Sequence, residues 1–231
     1  MAERRPEAAA DAPWPADDLL EGFERQELPK GYLLSTPDCP RNRVFVVRSG
    51  RLKVYLAGEN RELGLSLLEP GDIYATHTPT YVKTLTETSL WVMDTHAFAE
   101  RLAANPRIAP VMMRVLGKLL ANAVTLIDDL AFREVPARLA RYLLNQAKRK
   151  GTEQTEGWLI PMDMGTEDLA SLLGATRQTV SGIINQWQRE GLLERRGRSH
   201  LLVRSLEAIA ARCPAGVSVG QPTDKTGRPP L

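Results

Sequence analysis

The segment Thr166–Leu193, TEDLASLLGATRQTVSGIINQWQREGLL, constrains this chain more than any other. Leu169, Leu172, Leu173, Val180, Ile183, Ile184 and Trp187 recur three and four residues apart, which predicts two short helices, each burying one stripe and leaving the other face free. Gly174 falls between them, where a tight turn needs a left-handed or crowded backbone. Thr166 and Thr176 are expected as N-caps, and Glu167 and Asp168 lie where a helix dipole favours negative charge. The second helix opens with Arg177 and Gln178, side chains suited to base edges, and Ser181 follows one turn on, within reach of a phosphate or a base edge. Directly afterwards GLLERRGRSHLLV, Gly191 to Val203, reads as two short strands around a basic turn, whose Arg196 and Arg198 are expected on phosphates. A helical pair followed by such a hairpin is a winged helix-turn-helix, and its expected partner is double-stranded DNA.

Charge alone does not lead to that reading, because the net charge is only +2. What counts is where the arginines sit. With 231 residues the chain suits two small domains plus tails. Cys39 and Cys213 lie far apart and form no CxxC pair, which argues against a disulfide framework, a zinc site or a four-thiolate iron–sulfur cluster. No apolar run approaches the ~20 residues of a membrane span, and the N-terminus has no signal-peptide core, so no membrane partner and a cytoplasmic location are expected.

The rest of the chain falls into zones. Residues 1–18, rich in Ala, Pro and charge, form an N-terminal arm. Residues 19–110 carry short strand-like runs from Leu28 to Met93, broken by Gly, Pro, Asn and Asp turns as in an antiparallel barrel or roll. Residues 111–132 change to helical period, with Met112, Val115, Leu116, Leu119, Leu120, Ala123, Leu126, Ile127 and Leu130 on a broad apolar face. That face is wider than one small roll requires, which predicts a dimer-forming coiled coil roughly 30 Å long. Phe132 to Val135 read as a short connector and residues 133–136 as the hinge, with Phe132 and Val135 as hinge residues and Pro136 fitting the first turn of the next helix, Ala137 to Lys148. Residues 137–212 hold the winged helix-turn-helix, and 213–231 a disordered tail. The fold class is therefore α+β: an N-terminal antiparallel β-roll, a long dimerisation helix and a C-terminal winged helix-turn-helix.

That order of parts, with RNRVFVVRSGRLKVYL, LEPGDIY and GATRQTVSGIINQWQREGLL, resembles the CRP/FNR family of bacterial transcription regulators over nearly all of residues 20–210. The resemblance implies a roll of the cyclic-nucleotide-binding jelly-roll kind and a homodimer on a palindromic promoter site with RNA polymerase as partner; activator is the role the family suggests, and the residues themselves leave activation and repression open. Cyclic-nucleotide binders of the family carry a Gly-Glu-Leu stretch after the Gly-Asp turn and an Arg-Ser pair further on. Here Gly71-Asp72 is followed by IYATHTPTYVKT with neither, and a phosphate buried without such partners carries a heavy desolvation cost. The cysteine count removes the iron–sulfur branch.

The roll carries His77 instead, and a neutral imidazole is a common metal ligand. The stretch from Thr36 to Thr78, with VLGKLL on the long helix, resembles the carbon-monoxide-sensing haem branch, the CooA proteins. The resemblance implies one haem b per subunit, with His77 as the retained iron ligand and Asn42 hydrogen-bonded to its other ring nitrogen. It also implies, as second ferrous ligand, the N-terminal amine of the partner subunit. Removal of Met1 would expose that amine on Ala2, and its ordinary pKa near about 8 leaves a neutral fraction. Carbon monoxide would take the amine's place, with Leu116, Gly117 and Leu120 forming an apolar distal wall. One departure stands out: the branch has a ferric-state cysteine two residues before the histidine, and this chain has Ala75. Cys39 substitutes only if its loop reaches the iron. The same architecture answering nitric oxide, redox state or another small molecule is the alternative; a cupin-type metalloenzyme would need more ligands than His77 and His96.

Overall fold

In a computed structural model, residues 20–39, 42–59, 61–105, 109–162, 164–197 and 199–213 are described. The chain divides into two compact units, Met1–Leu126 and Ile127–Leu231.

The first unit is built on eight strands: β1 (Glu24–Leu28), β2 (Leu33–Ser35), β3 (Arg43–Ser49), β4 (Leu52–Ala57), β5 (Glu62–Leu68), β6 (Ile73–Ala75), β7 (Tyr81–Thr84) and β8 (Thr88–Asp94). They form two four-stranded antiparallel sheets, ordered β1-β8-β3-β6 and β2-β7-β4-β5. Strand alternation sends Phe45, Val47, Tyr74, Leu90 and Val92 into the roll, where they meet Leu52, Val54, Leu68 and Val82 of the other sheet. The opposite face of the first sheet, Val44, Val46, Ile73 and Met93, is covered by helical residues. Phe98 comes from α1 (Thr95–Ala104), capped by the Asp94 carboxylate, and Met112 and Val115 come from α2 (Ala109–Phe132). Strand β1 is an addition to the expected set, as ERQEL lacks an apolar alternation and takes its place by pairing with β8.

The long helix α2 has two apolar flanks. Met112, Val115 and Leu119 pack on the roll, and Lys118 pairs with Asp72 of the Gly71-Asp72 turn. Met113, Leu116, Leu120, Val124 and Ile127 are exposed. No helix among the described residues is long and apolar enough to cross a membrane.

The second unit holds α3 (Val135–Lys150), α4 (Thr166–Leu172), α5 (Arg177–Arg189), α6 (Leu206–Ala210) and a four-stranded antiparallel sheet. That sheet has the order β11-β12-β10-β9, from β9 (Thr152–Gln154), β10 (Gly157–Pro161), β11 (Leu193–Arg196) and β12 (His200–Val203). Leu139, Leu143, Ile160, Leu169, Val180, Trp187 and Leu202 are fully buried there. Pro136 lies in the first turn of α3, and Val135 is already helical, two residues ahead of the expected start. Two expected features differ. Gly165, with an extended backbone, is the N-cap of α4 instead of Thr166, which is already the first helical residue. The β9–β10 hairpin extends the wing into a full sheet through long-range pairs such as Trp158 with Val203.

Candidate functional site

The second unit presents a nucleic-acid interface. Gly174, at φ 58°, makes the turn between α4 and α5, and the guanidinium of Arg138 on α3 donates to the Leu173 carbonyl at 2.6 Å, fixing the end of α4. Thr176 caps α5, its hydroxyl accepting from the Thr179 amide at 3.1 Å. Val180, Ile184 and Trp187 are buried, which fixes the roll of α5 about its axis and turns Arg177 and Gln178 to solvent on its first turn. Ser181 is half-buried beside them. Gly182 is exposed, and a side chain there would meet nothing within 4 Å. In the wing, Gly197 at φ 69° turns β11 into β12. Arg196 is held within the domain, by Glu156 and by Glu194 at 2.9 Å. Arg195 is exposed on the same strand. Arg198 lies outside the described residues.

The connector between α2 and α3 belongs to the second unit. Phe132 is 81% exposed, whereas Val135 packs against the core of the DNA reader. Asp129 at the end of α2 pairs with Arg133 at 2.9 Å and accepts from Arg141 of α3 at 2.7 Å. Asp128 pairs with Arg133 at 3.1 Å. Sequence reasoning missed these contacts; the adjacent acids followed at i+4 by an arginine were their only local signal.

In the first unit the register of β3 and β6 pairs Val44 with Ala75 and Val46 with Ile73. Past the strand ends it continues through Arg43 and Thr76, where the Thr76 amide donates to the Arg43 carbonyl at 2.9 Å and the Arg43 amide to the Thr76 hydroxyl at 2.9 Å. Asn42 immediately precedes β3, and His77 lies two residues past β6. Both are exposed, beyond the ends of the rows Val44 and Val46, and Ile73 and Ala75, on the sheet face that α1 and α2 cover. The Asn42 carbonyl also accepts from the Thr95 amide at 3.1 Å, tying this end of β3 to the start of α1.

Ala75, in the same row, is half-buried against α2-side residues. Cys39 lines a small cavity of about 160 Å³ with Leu34, Phe45, Thr76 and Val92, of which Leu34, Phe45 and Val92 belong to the roll interior, the other face of the sheet. Leu116 and Leu120 are 56% and 66% exposed, and with Gly117 they lie along the outer flank of α2 rather than against the roll. The face of Gly117 is open, and a methyl group added there would have no neighbour within 4 Å. Ala2 lies outside the described residues.

These donors suit a macrocyclic metal better than a bare ion. Among the described residues no three His, Cys, Asp or Glu side chains converge to hold a metal. A haem brings four nitrogens of its own and asks the protein for one or two axial ligands and an apolar wall. The exposed imidazole of His77, just beyond β6, is a single nitrogen donor of the kind such a group takes.

Residues 137–212 match the Crp-like helix-turn-helix domain. Over 202 residues the chain is 28% identical to the CRP-like cAMP-activated global transcriptional regulator of Mycobacterium tuberculosis, covering 84% of this chain and 90% of the relative. Among solved structures it is similar to a mutant of CooA from Carboxydothermus hydrogenoformans, with 36% identity, a TM-score of 0.76, and coverage of 84% of this chain and 88% of that one. FixK2 from Bradyrhizobium japonicum shares the fold at 19% identity, with a TM-score of 0.72 and coverage of 84% and 98%.

Proposed function

The chain belongs to the CRP/FNR family of DNA-binding transcription regulators, and from that premise we propose that it is a haem-dependent sensor of carbon monoxide. The observation that carries the reading is the exposed imidazole of His77 just beyond β6, at the end of the sheet where Thr76 and Arg43 bond each other and whose outer face α2 helps to cover. The 36% identity to a CooA structure supports it. Bound haem would supply a ferrous iron able to take a neutral diatomic ligand.

The residues of the chain then have distinct tasks. His77 would hold the iron through one ring nitrogen, and Asn42 would fix the ring's tautomer through the other. The N-terminal amine of Ala2, contributed by the partner copy, would be the second, exchangeable ligand of the ferrous state. Leu116, Gly117 and Leu120 offer an apolar surface without a hydrogen-bond donor, which disfavours oxygen relative to carbon monoxide. The exposed stripe Met113, Leu116, Leu120, Val124 and Ile127 is too apolar to face water along a whole helix. A second copy of the same helix would cover it in a homodimer, whose paired α5 helices would read half-sites about one helical turn apart and present the bound protein to RNA polymerase.

The Mycobacterium tuberculosis relative is cAMP-activated by its name, and this favours a second reading in which another effector acts on the same architecture. The segment after Gly71-Asp72, IYATHTPTYVKT, argues against a cyclic nucleotide, because it carries neither the Gly-Glu-Leu stretch nor the Arg-Ser pair, and its one cation, Lys83, lacks the bidentate fork that an arginine would offer a phosphate. The absorption spectrum of anaerobic, haem-reconstituted protein separates the readings. A six-coordinate ferrous spectrum that converts to a carbonyl form, and that His77→Ala alters, is expected. Failure to retain haem would leave a CRP-family regulator with a different effector.

A further inference from the structure

His77 sits in a five-residue link, Thr76 to Thr80, between β6 and β7. A ligand on an exposed link is useful only if the link holds still. Its first residue is fixed by the reciprocal bonds between Thr76 and Arg43. Its second half is fixed by a different device. The hydroxyl of Tyr74 lies 2.9 Å from that of Thr78 and 3.1 Å from that of Thr80, and the two threonine hydroxyls are 3.0 Å apart. Thr78 has the Ala75 carbonyl as a further acceptor at 3.3 Å.

Tyr74 is well suited to anchor this triangle. It is only 9% exposed, and its ring leans on Phe45 at a centroid distance of 6.0 Å. Thr80 is 5% exposed, so the triangle is shielded on its inner side. Pro79 stiffens the link further, because its ring fixes φ and restricts Thr78 before it. The ring of Tyr74 does core packing that phenylalanine would do equally well. The bonds of its hydroxyl go to the link that bears His77.

Resting on the reading of His77 as the haem ligand, we infer that Tyr74 is a positioning residue for it: through Thr78 and Thr80 it fixes the link C-terminal to His77, as Arg43 fixes it through Thr76 on the N-terminal side. The link that carries the imidazole is thereby ordered before the cofactor arrives, which lowers the ordering cost of binding. Groups hydrogen-bonded directly to a metal ligand typically change metal affinity by about 10–100-fold when removed, and a residue acting through the link is expected at the lower end of that range.

Tyr74→Phe keeps the ring and deletes the hydroxyl; Thr80→Val deletes a second corner of the triangle. Two readouts apply to the full-length chain: the rate of haem transfer to excess apomyoglobin, with His77→Ala as reference, and amide hydrogen exchange across residues 76–80 in the haem-free protein. Each variant is expected to lose haem at least about tenfold faster than the parent and to exchange faster in that link, with the rest of the roll unchanged. Equal loss rates and equal exchange in both variants would overturn the inference alone, provided His77→Ala still accelerates loss. A parent protein that loses haem as fast as His77→Ala would overturn the haem reading and this inference with it.

Discussion

Arg177 and Arg196 look alike in sequence, two exposed arginines on a DNA-binding module, and the structure sets them apart. Arg177 stands on the first turn of α5, whose orientation is fixed by the buried Val180, Ile184 and Trp187. Arg196 is engaged by Glu156 and Glu194 and must give up those contacts to reach a phosphate. Replacing Arg177 by alanine is expected to cost roughly 1–3 kcal/mol on the specific site and to relax one base preference. Replacing Arg196 should weaken specific and random DNA alike, and by less. Titration of both variants on a palindrome and on random duplex checks this, and equal loss for Arg177→Ala on the two DNAs would contradict a base-reading role. Residue type and spacing are enough to nominate Arg177 and Gln178, whereas His77 is singled out only by the family resemblance of the stretch around it. They cannot reveal the acidic partners of Arg196, because Glu156 is forty positions away in the chain and meets it only when the wing sheet forms. The Tyr74 hydroxyl is hidden for a similar reason: tyrosine in a strand reads as core until its oxygen is seen among threonines.

Elements with a strong period are legible from sequence, and those held by distant pairing are not. The winged motif appears nearly as expected: α4, α5, β11 and β12, with Gly174 and Gly197 in left-handed turns. Strands β1 and β9 escape such a reading because ERQEL and TEQ have no apolar alternation and owe their conformation to β8 and β10. The long helix is legible as both a helix and an over-wide apolar face, and its exposed stripe leads to a prediction at this scale. Leu120→Glu combined with Val124→Glu places like charges where two copies of the helix would meet, leaving the roll-facing Met112, Val115 and Leu119 intact. Light scattering should give the parent protein twice the 25.6 kDa chain mass, and the double variant the single mass. A parent protein that is monomeric at micromolar concentration would remove this face as a dimer contact.

For the whole molecule, the proposed reading requires that a signal at the roll alter DNA binding by the second unit, and the sequence of α2 runs across the boundary between Leu126 and Ile127. Its last turn is bound to α3 through Asp128, Asp129, Arg133 and Arg141, and α3 reaches the helix-turn-helix through Arg138 on the Leu173 carbonyl. A displacement of α2 would therefore be passed on to the recognition helix through charge-assisted contacts. Reversing a dimer from 1:99 to 99:1 in favour of the active state needs about 5.5 kcal/mol of differential binding, and couplings between sites commonly supply about 1–3 kcal/mol each. Exchange of one ligand in each of two subunits, with burial of an apolar surface against α2, is of that order. The most direct measurement is the affinity of the reduced, haem-loaded protein for its palindromic site, by fluorescence anisotropy under argon and then under carbon monoxide. Tightening by about tenfold or more under the gas, abolished by His77→Ala, is the predicted result; equal affinity in the two atmospheres, with the haem carbonyl fully formed, would contradict a carbon-monoxide switch.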